Sequence, residues 1–439
     1  MGLGTILPTS AMKSSINLKK INAMKNHKVL IIGGGTAGIT VAAQMMRKNN
    51  KLDVAIIEPS DKHYYQPAWT LVGAGTFDMK KTERDERSLI PAGVTWIKEY
   101  AEEIDADNNR VVLRNGEEIE YEYLVVAPGI QIDLHGIEGL AETMGKNNVC
   151  SNYIDPEYTW EILQNWKGGK ALFTQPATPI KCGGAPMKIM FLAADYFGKH
   201  GLKDKSEVVF ASPGSVIFGV KEFAITLDKV VDRYGIDTRF HHRLLKIDGE
   251  KKVATYEVTK YDNMGCMVVT ESGTPEKYIE EIEFDMLHLA PPQSAPDFVK
   301  KSKIAHQEGP SKGWANVDIH SMQNPDYSNV FALGDSAALP TAKTGAAIRK
   351  QAPVVVDNIL NMIEGRHAHN LGYKGYSSCP LVTGYGKMVL AEFGYENKRM
   401  SDPMISTFVD TTKEKWSMWM LKKYGLPFMY WDLMLKGKA

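Results

Sequence analysis

Lys28-Val-Leu-Ile-Ile-Gly-Gly-Gly-Thr-Ala-Gly38 is the stretch that decides the fold of this 439-residue chain. The apolar run from Val29 to Ile32 is typical of a buried parallel strand, and a glycine-rich turn and a helical pattern over 39–47 follow it. A backbone without Cβ atoms can approach a pyrophosphate closely, and the positive end of the next helix then faces the negative charge. The stretch therefore predicts a Rossmann-type dinucleotide-binding unit.

An acidic residue follows at the place where such units bind the adenosine ribose. Glu58 ends the next predicted strand, which runs from Leu52 to Ile57, and it lies 20 residues beyond Gly38. Strand, turn, helix and acid therefore agree with one another. The candidate cofactor contacts in this part of the chain are Gly33, Gly35, Thr36, Ala37, Gly38, Glu58, Gln66 and Ala101.

A second motif, Val330-Phe-Ala-Leu-Gly-Asp335, is an apolar strand that ends in Gly-Asp, and a helical pattern over 344–363 follows it. An aspartate at this place can hold a ribityl hydroxyl of a flavin, and the helix N-terminus would stabilise an anionic reduced flavin. Because the adenosine end has its own acid, the two motifs predict FAD rather than FMN. The candidate contacts here are Gly334, Asp335, Lys343 and Thr344.

The middle of the chain lacks a good site for a nicotinamide cofactor. A second α/β unit begins near Lys170, and we expect a second Gly-x-Gly-x-x-Gly after the strand Glu207–Ser212 if NADH binds. The residues that follow are Pro213-Gly-Ser-Val-Ile-Phe-Gly219 instead. Since a dinucleotide needs close backbone approach at that turn, the sequence predicts a flavoprotein that takes its electrons from another donor.

The four cysteines are widely spaced and form no Cys-x-x-Cys, which predicts neither a zinc site nor a secreted disulfide framework. Cys182 lies in Pro179-Ile-Lys-Cys-Gly-Gly-Ala-Pro-Met-Lys188, just before a predicted helix. A helix N-terminus and nearby lysines lower the pKa of a thiol, so we predict a reactive thiolate. Cys379 precedes a proline outside any predicted helix, and its local pattern fits a reactive and a structural thiol equally. Cys150 and Cys266 lack such surroundings and are predicted to be structural.

The C-terminal segment 413–436 is rich in Trp, Met and Lys. Its spacing predicts two short amphipathic helices separated by Pro427, with aromatic residues clustered among lysines: Trp416, Trp419, Phe428, Tyr430 and Trp431. This composition suits a membrane interface, and a dimer interface or a packed lid is the alternative. On the membrane reading, removal of 413–439 is expected to release the protein from lipid and to spare flavin reduction.

Bulk properties exclude other classes of protein. The chain has 52 basic and 52 acidic residues, which argues against bulk nucleic-acid binding. No run approaches 18 apolar residues, so no membrane-spanning helix is predicted. The expected organisation is a leader or disordered tail (1–26), a flavin-binding domain in two parts (27–150 and 315–365), a second Rossmann-like domain (151–314) and a C-terminal quinone-site and membrane-docking region (366–439).

Several long strings together resemble the sulfide:quinone oxidoreductase family, in particular the group that includes the mitochondrial enzyme of animals. They are His63-Tyr-Tyr-Gln-Pro-Ala-Trp-Thr-Leu-Val-Gly-Ala-Gly75, Thr178-Pro-Ile-Lys-Cys-Gly-Gly-Ala-Pro186, Phe218-Gly219, Leu287-His-Leu-Ala-Pro-Pro292, Leu339-Pro-Thr-Ala-Lys-Thr344 and Ser378-Cys-Pro-Leu-Val-Thr-Gly-Tyr385. The resemblance implies an α/β fold of two Rossmann-like domains, of the glutathione-reductase-like flavoprotein type, with a C-terminal amphipathic membrane-docking segment. Some distant members use a third cysteine, but here that region reads Ala127-Pro-Gly129.

The resemblance also implies the chemistry. The family oxidises hydrogen sulfide with FAD, passes the electrons to ubiquinone or menaquinone, and gives the sulfur to sulfite, glutathione or a second sulfide. Cys182 and Cys379 match its redox pair, with Cys182 facing the flavin and Cys379 carrying the outgoing sulfur. The implied location is the surface of a bacterial or mitochondrial inner membrane. Two alternatives stay open at this point: a type II NADH:quinone dehydrogenase, and a flavin-bearing scaffold without turnover.

Overall fold

The structure is a computed structural model that describes residues 25–262 and 264–439. The expected leader or tail over 1–26 therefore lies outside the described residues, apart from its last two. Those two residues begin the first strand, which starts at Lys25 and is four residues longer at its N-terminus than the apolar run alone indicates.

Strands β1 to β21 are, in chain order, Lys25–Ile32, Val54–Ile57, Lys62–Tyr64, Glu83–Asp85, Thr95–Ile97, Ala101–Asp105, Arg110–Leu113, Glu118–Val126, Gln131–Ile132, Val149–Cys150, Gly169–Thr174, Ser206–Ala211, Asp237–Arg239, His242–Asp248, Val253–Thr259, Lys277–Glu283, Met286–Leu289, Gln293–Ser294, Val330–Ala332, Ser377–Gly384 and Lys387–Phe393. Helices α1 to α11 are Thr36–Lys48, Trp69–Val72, Leu140–Thr143, Pro156–Asn165, Ala185–Lys199, Lys221–Tyr234, Asp297–Lys300, Gly345–Ile363, Pro403–Phe408, Trp416–Met420 and Leu426–Phe428.

The first sheet has the strand order β5-β2-β1-β8-β7-β6, and β19 pairs with β8. Strands β2, β1, β8 and β19 run parallel to one another. Strands β2 and β19 are buried throughout, and β1 and β8 are buried over their apolar ends, residues 29–32 and 124–126. The chain thus returns about 200 residues after β8 to add β19 beside it. This return places the turn after β19 near the glycine turn after β1, so both motifs face one region.

The second sheet has the strand order β10-β17-β11-β12-β13, and all its pairs are parallel. Its first central strand is β11, with β12 as the next strand outward. In a Rossmann unit the nucleotide-binding turn follows the first central strand. That turn is therefore the loop 175–184, which contains Cys182, and the expectation that it would follow the strand near Glu207 is wrong.

A separate antiparallel hairpin, β20 and β21, carries Cys379 opposite Ala391. Strand β20 packs on α5, the helix that follows the Cys182 loop. The hairpin belongs to the same hydrophobic core as α5, so its position is fixed by side-chain packing from both elements.

The C-terminal segment is one continuous helix over 416–434, in which α10 and α11 alternate with π-helical turns Leu421–Gly425 and Met429–Met434. The predicted break at Pro427 is absent because a π-helical turn before the proline shifts the hydrogen-bond pattern that its missing N–H would otherwise interrupt. We call residues 416–434 the C-terminal helix. Among the described residues, no helix is long and apolar enough to cross a membrane.

Part of the predicted aromatic cluster is buried inside the protein. Trp419, Tyr430 and Trp431 are each less than a tenth exposed, whereas Trp416 and Phe428 are more than half exposed. The buried three contribute to the cores of both α/β units. The expectation that all five lie at an interface is therefore wrong, since three of them hold the C-terminal helix to the body of the protein.

Candidate functional site

A cavity of about 560 Å³ lies between the glycine turn after β1, the turn after β19, the Cys182 loop and the C-terminal helix. It occupies the carboxyl ends of parallel strands, where ligands of α/β sheets bind. The predicted site residues that line it are Gly35, Thr36, Ala37, Glu58, Gln66, Asp335, Lys343, Thr344 and Cys182. The structure therefore brings residues more than 300 positions apart in sequence around one cavity.

Other predicted contacts lie outside the cavity lining. Gly33 lies in the turn after β1, Gly38 in the first turn of α1, and Gly334 in the turn after β19. Ala101 begins β6, at the edge of the first sheet opposite to β5. Glu58 lies near β5, since its amide donates a hydrogen bond to the carbonyl of Ile97. These four positions stay predictions about the cofactor site.

The adenosine end of the cavity is built around Glu58. Its two carboxylate oxygens accept hydrogen bonds of 2.8 Å from the amides of Gly34 and Ser60. Burial raises the pKa of Glu58, and these two N–H groups act in the opposite direction. Gly34 and Ser60, which were not among the predicted contacts, thus together fix the orientation of the predicted ribose acid.

The flavin end is built around the turn after β19. Thr344 caps α8, because its hydroxyl accepts a bond of 3.2 Å from the amide of Ala347. The Lys343 ammonium donates to the carbonyls of Asp335 and Ala337 at 2.7 and 3.0 Å and lies 3.8 Å from the ring centre of Trp314. Burial lowers the pKa of Lys343 to about 8, while Asp335 opposes that shift. A cation and a helix N-terminus therefore face the same part of the cavity.

Cys182 takes an unusual backbone conformation in the loop after β11. Its φ of +52° lies in the left-handed region, which a residue with a Cβ atom adopts rarely and at functional sites in particular. Its amide donates to the carbonyl of Lys343 at 2.8 Å, and its carbonyl accepts a bond of 2.7 Å from the amide of Ala185 and one of 3.2 Å from the hydroxyl of Tyr153. These bonds hold the thiol beside the N-terminus of α8.

Cys379 reaches the same place from β20. A Cβ atom on Gly184 would lie 2.6 Å from a methyl group of Leu381 and 3.9 Å from the Cβ atom of Cys379, so β20 packs directly against the start of α5. The thiols of Cys182 and Cys379 lie near enough to each other for a hydrogen bond to shift the pKa of both, and both are free in this structure. The fold thus joins two cysteines that are 197 positions apart in sequence.

The two thiols differ strongly in their acidity. The hydrogen bond from Cys379 and the Lys188 ammonium, 3.0 Å from the Cys182 sulfur, hold the pKa of Cys182 well below its ordinary value despite burial. The same hydrogen bond and burial raise the pKa of Cys379 well above its ordinary value. Cys182 is therefore the thiolate of the pair and Cys379 the thiol.

A second buried lysine lies near the pair. Lys422, in the first π-helical turn of the C-terminal helix, is 2% exposed and donates a bond of 2.7 Å to the carbonyl of Pro67. Burial, followed by repulsion from Lys188, lowers the pKa of Lys422 to about 7. No local pattern in the sequence connects Lys422 to Cys182, because only the path of the C-terminal helix brings them together.

The remaining cysteines lie away from the cavity lining. Cys150 is fully buried in the core beside α4, and burial raises its pKa to about 12. Cys266 is exposed in the loop between β15 and β16. Among the described residues, neither sulfur has a lysine ammonium within hydrogen-bond distance, as the sulfur of Cys182 has.

Comparison with known proteins gives the family. Residues 27–166 match the family model described as pyridine nucleotide-disulphide oxidoreductase. The chain is 41% identical to the mitochondrial sulfide:quinone oxidoreductase of Dictyostelium discoideum, over 96% of this chain and 88% of that protein. It is 40% identical to the Mus musculus protein of the same name, over 94% of this chain and 87% of that protein.

The crystal structure of the sulfide:quinone oxidoreductase from Aquifex aeolicus has the same fold, with a TM-score of 0.74, 20% identity, and 94% of this chain and 92% of that chain covered. The chain therefore belongs to the sulfide:quinone oxidoreductase family, and the predicted α/β flavoprotein fold is confirmed. Membership favours this family over the NADH dehydrogenase alternative, and it identifies a flavin as the class of cofactor.

Proposed function

We propose that this chain oxidises hydrogen sulfide to sulfane sulfur and passes the two electrons through FAD to a membrane quinone. The observation that carries the proposal is the pair of neighbouring thiols, Cys182 and Cys379, with the Lys188 ammonium 3.0 Å from the sulfur of Cys182 at the wall of the cavity. Relatives with 34–41% identity are named for sulfide and quinone, which supplies the substrates.

The difference in acidity sets the direction of the first step. In the oxidised form the two cysteines share a disulfide, and HS⁻ attacks one of its sulfurs. The sulfur with the lower thiol pKa leaves faster, so attack falls on Cys379 and expels Cys182 as a thiolate beside Lys188. A sulfur–sulfur bond breaks and another forms, which gives a persulfide on Cys379 without any net change of oxidation state.

The second step regenerates the pair. A nucleophilic acceptor takes the outer sulfur of the Cys379 persulfide, and a thiolate is left on Cys379. The acceptor is sulfite, glutathione or another sulfide, each of which is a nucleophile for sulfane sulfur. The two thiolates then return to a disulfide and release two electrons. A bound flavin supplies the two-electron acceptor that links this oxidation to the quinone.

The described residues fit FAD at both ends of the cavity. Glu58 lies where an adenosine ribose binds, and its carboxylate is oriented by two amides. At the far end, Lys343 and the capped N-terminus of α8 offer positive charge to the reduced isoalloxazine. A cofactor without an adenosine part would leave the Glu58 end of the cavity without a ligand.

The quinone site that we propose is the part of the cavity between α9 and the C-terminal helix. Ile405, Leu421 and Met429 line this part with apolar side chains. The same two elements expose large apolar side chains to the outside: Met404, Phe408, Trp416, Tyr424 and Phe428, each between 57% and 87% exposed. We call these five residues the exposed apolar patch.

The exposed apolar patch is the proposed membrane contact. Exposed apolar and aromatic residues on the two elements that line this part of the cavity suit an enzyme whose second substrate is dissolved in lipid. The patch shares only Trp416 and Phe428 with the cluster expected from sequence, since the other three aromatics of that cluster are buried. The mitochondrial names of the relatives favour the mitochondrial inner membrane over a bacterial one.

One experiment separates this function from the alternatives. Purified protein is mixed anaerobically with sulfide or with NADH, and the flavin absorbance near 450 nm is followed. Sulfide should bleach the flavin, and a short-chain quinone should restore the colour. Bleaching by NADH alone would indicate an NADH dehydrogenase, and bleaching by neither would indicate a scaffold.

A further inference from the structure

We propose that Glu86 is a second binding residue for the adenosine ribose of FAD, held in position by the C-terminal helix. The proposal rests on FAD being the cofactor, as proposed above. It starts from a carboxylate in the cavity wall, at the end of β4, whose side chain is almost completely buried. Its Oε1 atom has no hydrogen-bond partner among the described residues. Because a buried acceptor without a donor is costly, this oxygen calls for a ligand that carries an O–H or N–H group.

The unpartnered oxygen lies at the adenosine end of the cavity. Gly34 separates the two acids: a Cβ atom placed on it would lie 2.5 Å from Oε1 of Glu86 and 2.6 Å from Cγ of Glu58. Burial raises the pKa of Glu58, and the charge of Glu86 adds to that shift. Two carboxylates thus flank one glycine of the pyrophosphate-binding turn and line the same cavity.

The ribose of adenosine matches this pair of acids chemically. It carries two neighbouring hydroxyl groups, and each hydroxyl has one proton to donate. Each of the two carboxylates can accept a hydrogen bond from one hydroxyl. The ligand then supplies the donor that Oε1 of Glu86 lacks. The charge repulsion between Glu58 and Glu86 is also relieved when donors are placed between them. The chemical class that this site recognises is therefore a vicinal diol next to a pyrophosphate.

The other oxygen of Glu86 is held by a chain of hydrogen bonds from the C-terminal helix. Nδ1 of His63 lies 3.2 Å from Oε2 of Glu86, and Nε2 of His63 lies 2.5 Å from the hydroxyl of Tyr430. That hydroxyl lies 2.8 Å from the hydroxyl of Thr36, in the first turn of α1. With the His63 proton on Nδ1, each donor in the order Thr36, Tyr430, His63 finds an acceptor. The chain ends on Glu86, so Tyr430 is a positioning residue for the acid.

The test exchanges the flavin of the holoenzyme. Protein is equilibrated with mixtures of FAD and an analogue that lacks either the 2′- or the 3′-hydroxyl of the adenosine ribose, and the bound flavins are separated and measured. The wild-type protein should prefer FAD over each analogue by about 10- to 100-fold, the range for a hydrogen bond to a charged group. Glu86→Ala should lose the preference for one of the two hydroxyls and keep the other, which Glu58 binds.

Two further variants keep the test decisive. Glu86→Gln preserves the packing, and its neutral amide oxygen should reduce the same preference by a smaller factor. Glu83→Gln removes a neighbouring carboxylate that bonds to Lys62, and it should leave both preferences unchanged. If Glu86→Ala discriminates against both analogues as the wild type does, Glu86 has only a structural role and the proposal is overturned, whatever happens to total affinity.

The role of the C-terminal helix is tested in the same assay. Tyr430→Phe removes the hydroxyl that holds His63, so it should lower the same preference that Glu86→Ala abolishes. Tyr424→Phe changes an exposed tyrosine of the same helix and should have no effect. An equal loss of FAD and both analogues in Tyr430→Phe would overturn the link. Failure of the FAD proposal is seen separately, because denatured wild-type protein would then release FMN or no flavin.

Discussion

The ammonium of Lys188, a residue that is 2% exposed, lies 3.0 Å from the sulfur of the partly buried Cys182. Lys188 lies in the first turns of α5, the helix that begins just after the Cys182 loop, so one local stretch supplies both partners. Burial alone would lower the pKa of Lys188, but the charge of the Cys182 thiolate and its hydrogen bond to Lys188 outweigh burial and raise that pKa. The pair is therefore an ion pair, and it defines which cysteine leaves as a thiolate.

The cysteine pair gives the first prediction. Serine forms neither a disulfide nor a persulfide, so Cys182→Ser and Cys379→Ser should each abolish bleaching of the flavin by sulfide. Flavin content, measured by absorbance after purification, should stay close to the wild-type value. Cys150→Ser and Cys266→Ser are the matched controls, because neither thiol takes part in the pairing of Cys182 with Cys379. Full sulfide-driven bleaching in Cys379→Ser would exclude the two-cysteine mechanism.

The second prediction concerns the acidity of Cys182. Lys188→Met removes the neighbouring positive charge but keeps the length of the side chain. The pKa of Cys182 should therefore rise, and the alkylation rate by iodoacetamide should reach half its maximum about 1 to 3 pH units higher than in wild type. Lys199→Met, on the exposed end of the same helix, should leave the profile in place. An unchanged profile in Lys188→Met would show that the ion pair does not control the thiol.

The third prediction concerns stability and pH. The pKa of Lys422 is about 7 in the folded protein, below its ordinary value of 10.5. Between these values the unfolded chain binds more protons than the folded one, so the free energy of unfolding rises with pH across this window. The cost of burying Lys422 is therefore largest at pH 7 and below, and it disappears near pH 10.5.

Lys422→Met should remove that cost. The variant should be more stable than wild type at pH 7, by up to about 5 kcal/mol before the lost bond to Pro67 is subtracted. The advantage should shrink steadily toward pH 10. Melting temperatures of reduced protein across this range measure it, with the exposed Lys436→Met as control. A gain that does not depend on pH would mean that Lys422 is neutral throughout.

Local sequence was sufficient for the parts of the site that come from one stretch of chain. The glycine turn, Glu58 and the Lys-rich loop around Cys182 each depend on neighbours within about 30 residues, and strand and helix periodicity located them. Cys379 could not be assigned in this way, because its reactivity depends on β20 packing against α5 at Gly184. The family resemblance, rather than local pattern, paired it with Cys182.

The C-terminal helix shows the opposite case, where local pattern misled. Amphipathic spacing and Pro427 indicated two detachable surface helices, yet Lys422 reaches the cysteines and Tyr430 reaches Thr36. Aromatic residues among lysines fit a membrane surface and a packed lid equally well. Only tertiary packing shows which aromatics are buried and which are exposed. Removal of 413–439 would expose both hydrophobic cores. The expectation that such a deletion spares flavin reduction is therefore withdrawn.

The fourth prediction is that NADH does not reduce the flavin. The turn after β11, where a nicotinamide dinucleotide would place its pyrophosphate, is the Cys182 loop, whose amide is already bonded to Lys343. This loop has its only glycines at 183 and 184, next to the start of α5, and lacks the Gly-x-Gly-x-x-Gly spacing with which a dinucleotide turn approaches a pyrophosphate. Anaerobic NADH should bleach the flavin no faster than buffer alone, measured in a stopped-flow instrument. Rapid bleaching by NADH would reopen the dehydrogenase alternative.

The last prediction concerns the exposed apolar patch. Replacement of Phe408, Trp416 and Phe428 by serine changes only side chains that are more than half exposed, so the fold and the flavin should be retained. Fully burying a large apolar side chain in lipid is worth roughly 1.5–3 kcal/mol. The triple variant should therefore move from the pellet to the supernatant in liposome co-sedimentation, with at least a 100-fold weaker partition. Sulfide should still bleach its flavin at the wild-type rate, while turnover with a long-chain quinone in vesicles falls and turnover with a water-soluble quinone persists.

Val216, Ile225 and Ile279 are exposed to a similar degree on the second α/β unit and the β14–β16 sheet, away from the cavity mouth, and their replacement by serine is the matched control. If the control variant leaves the membrane and the patch variant does not, the protein docks by another face.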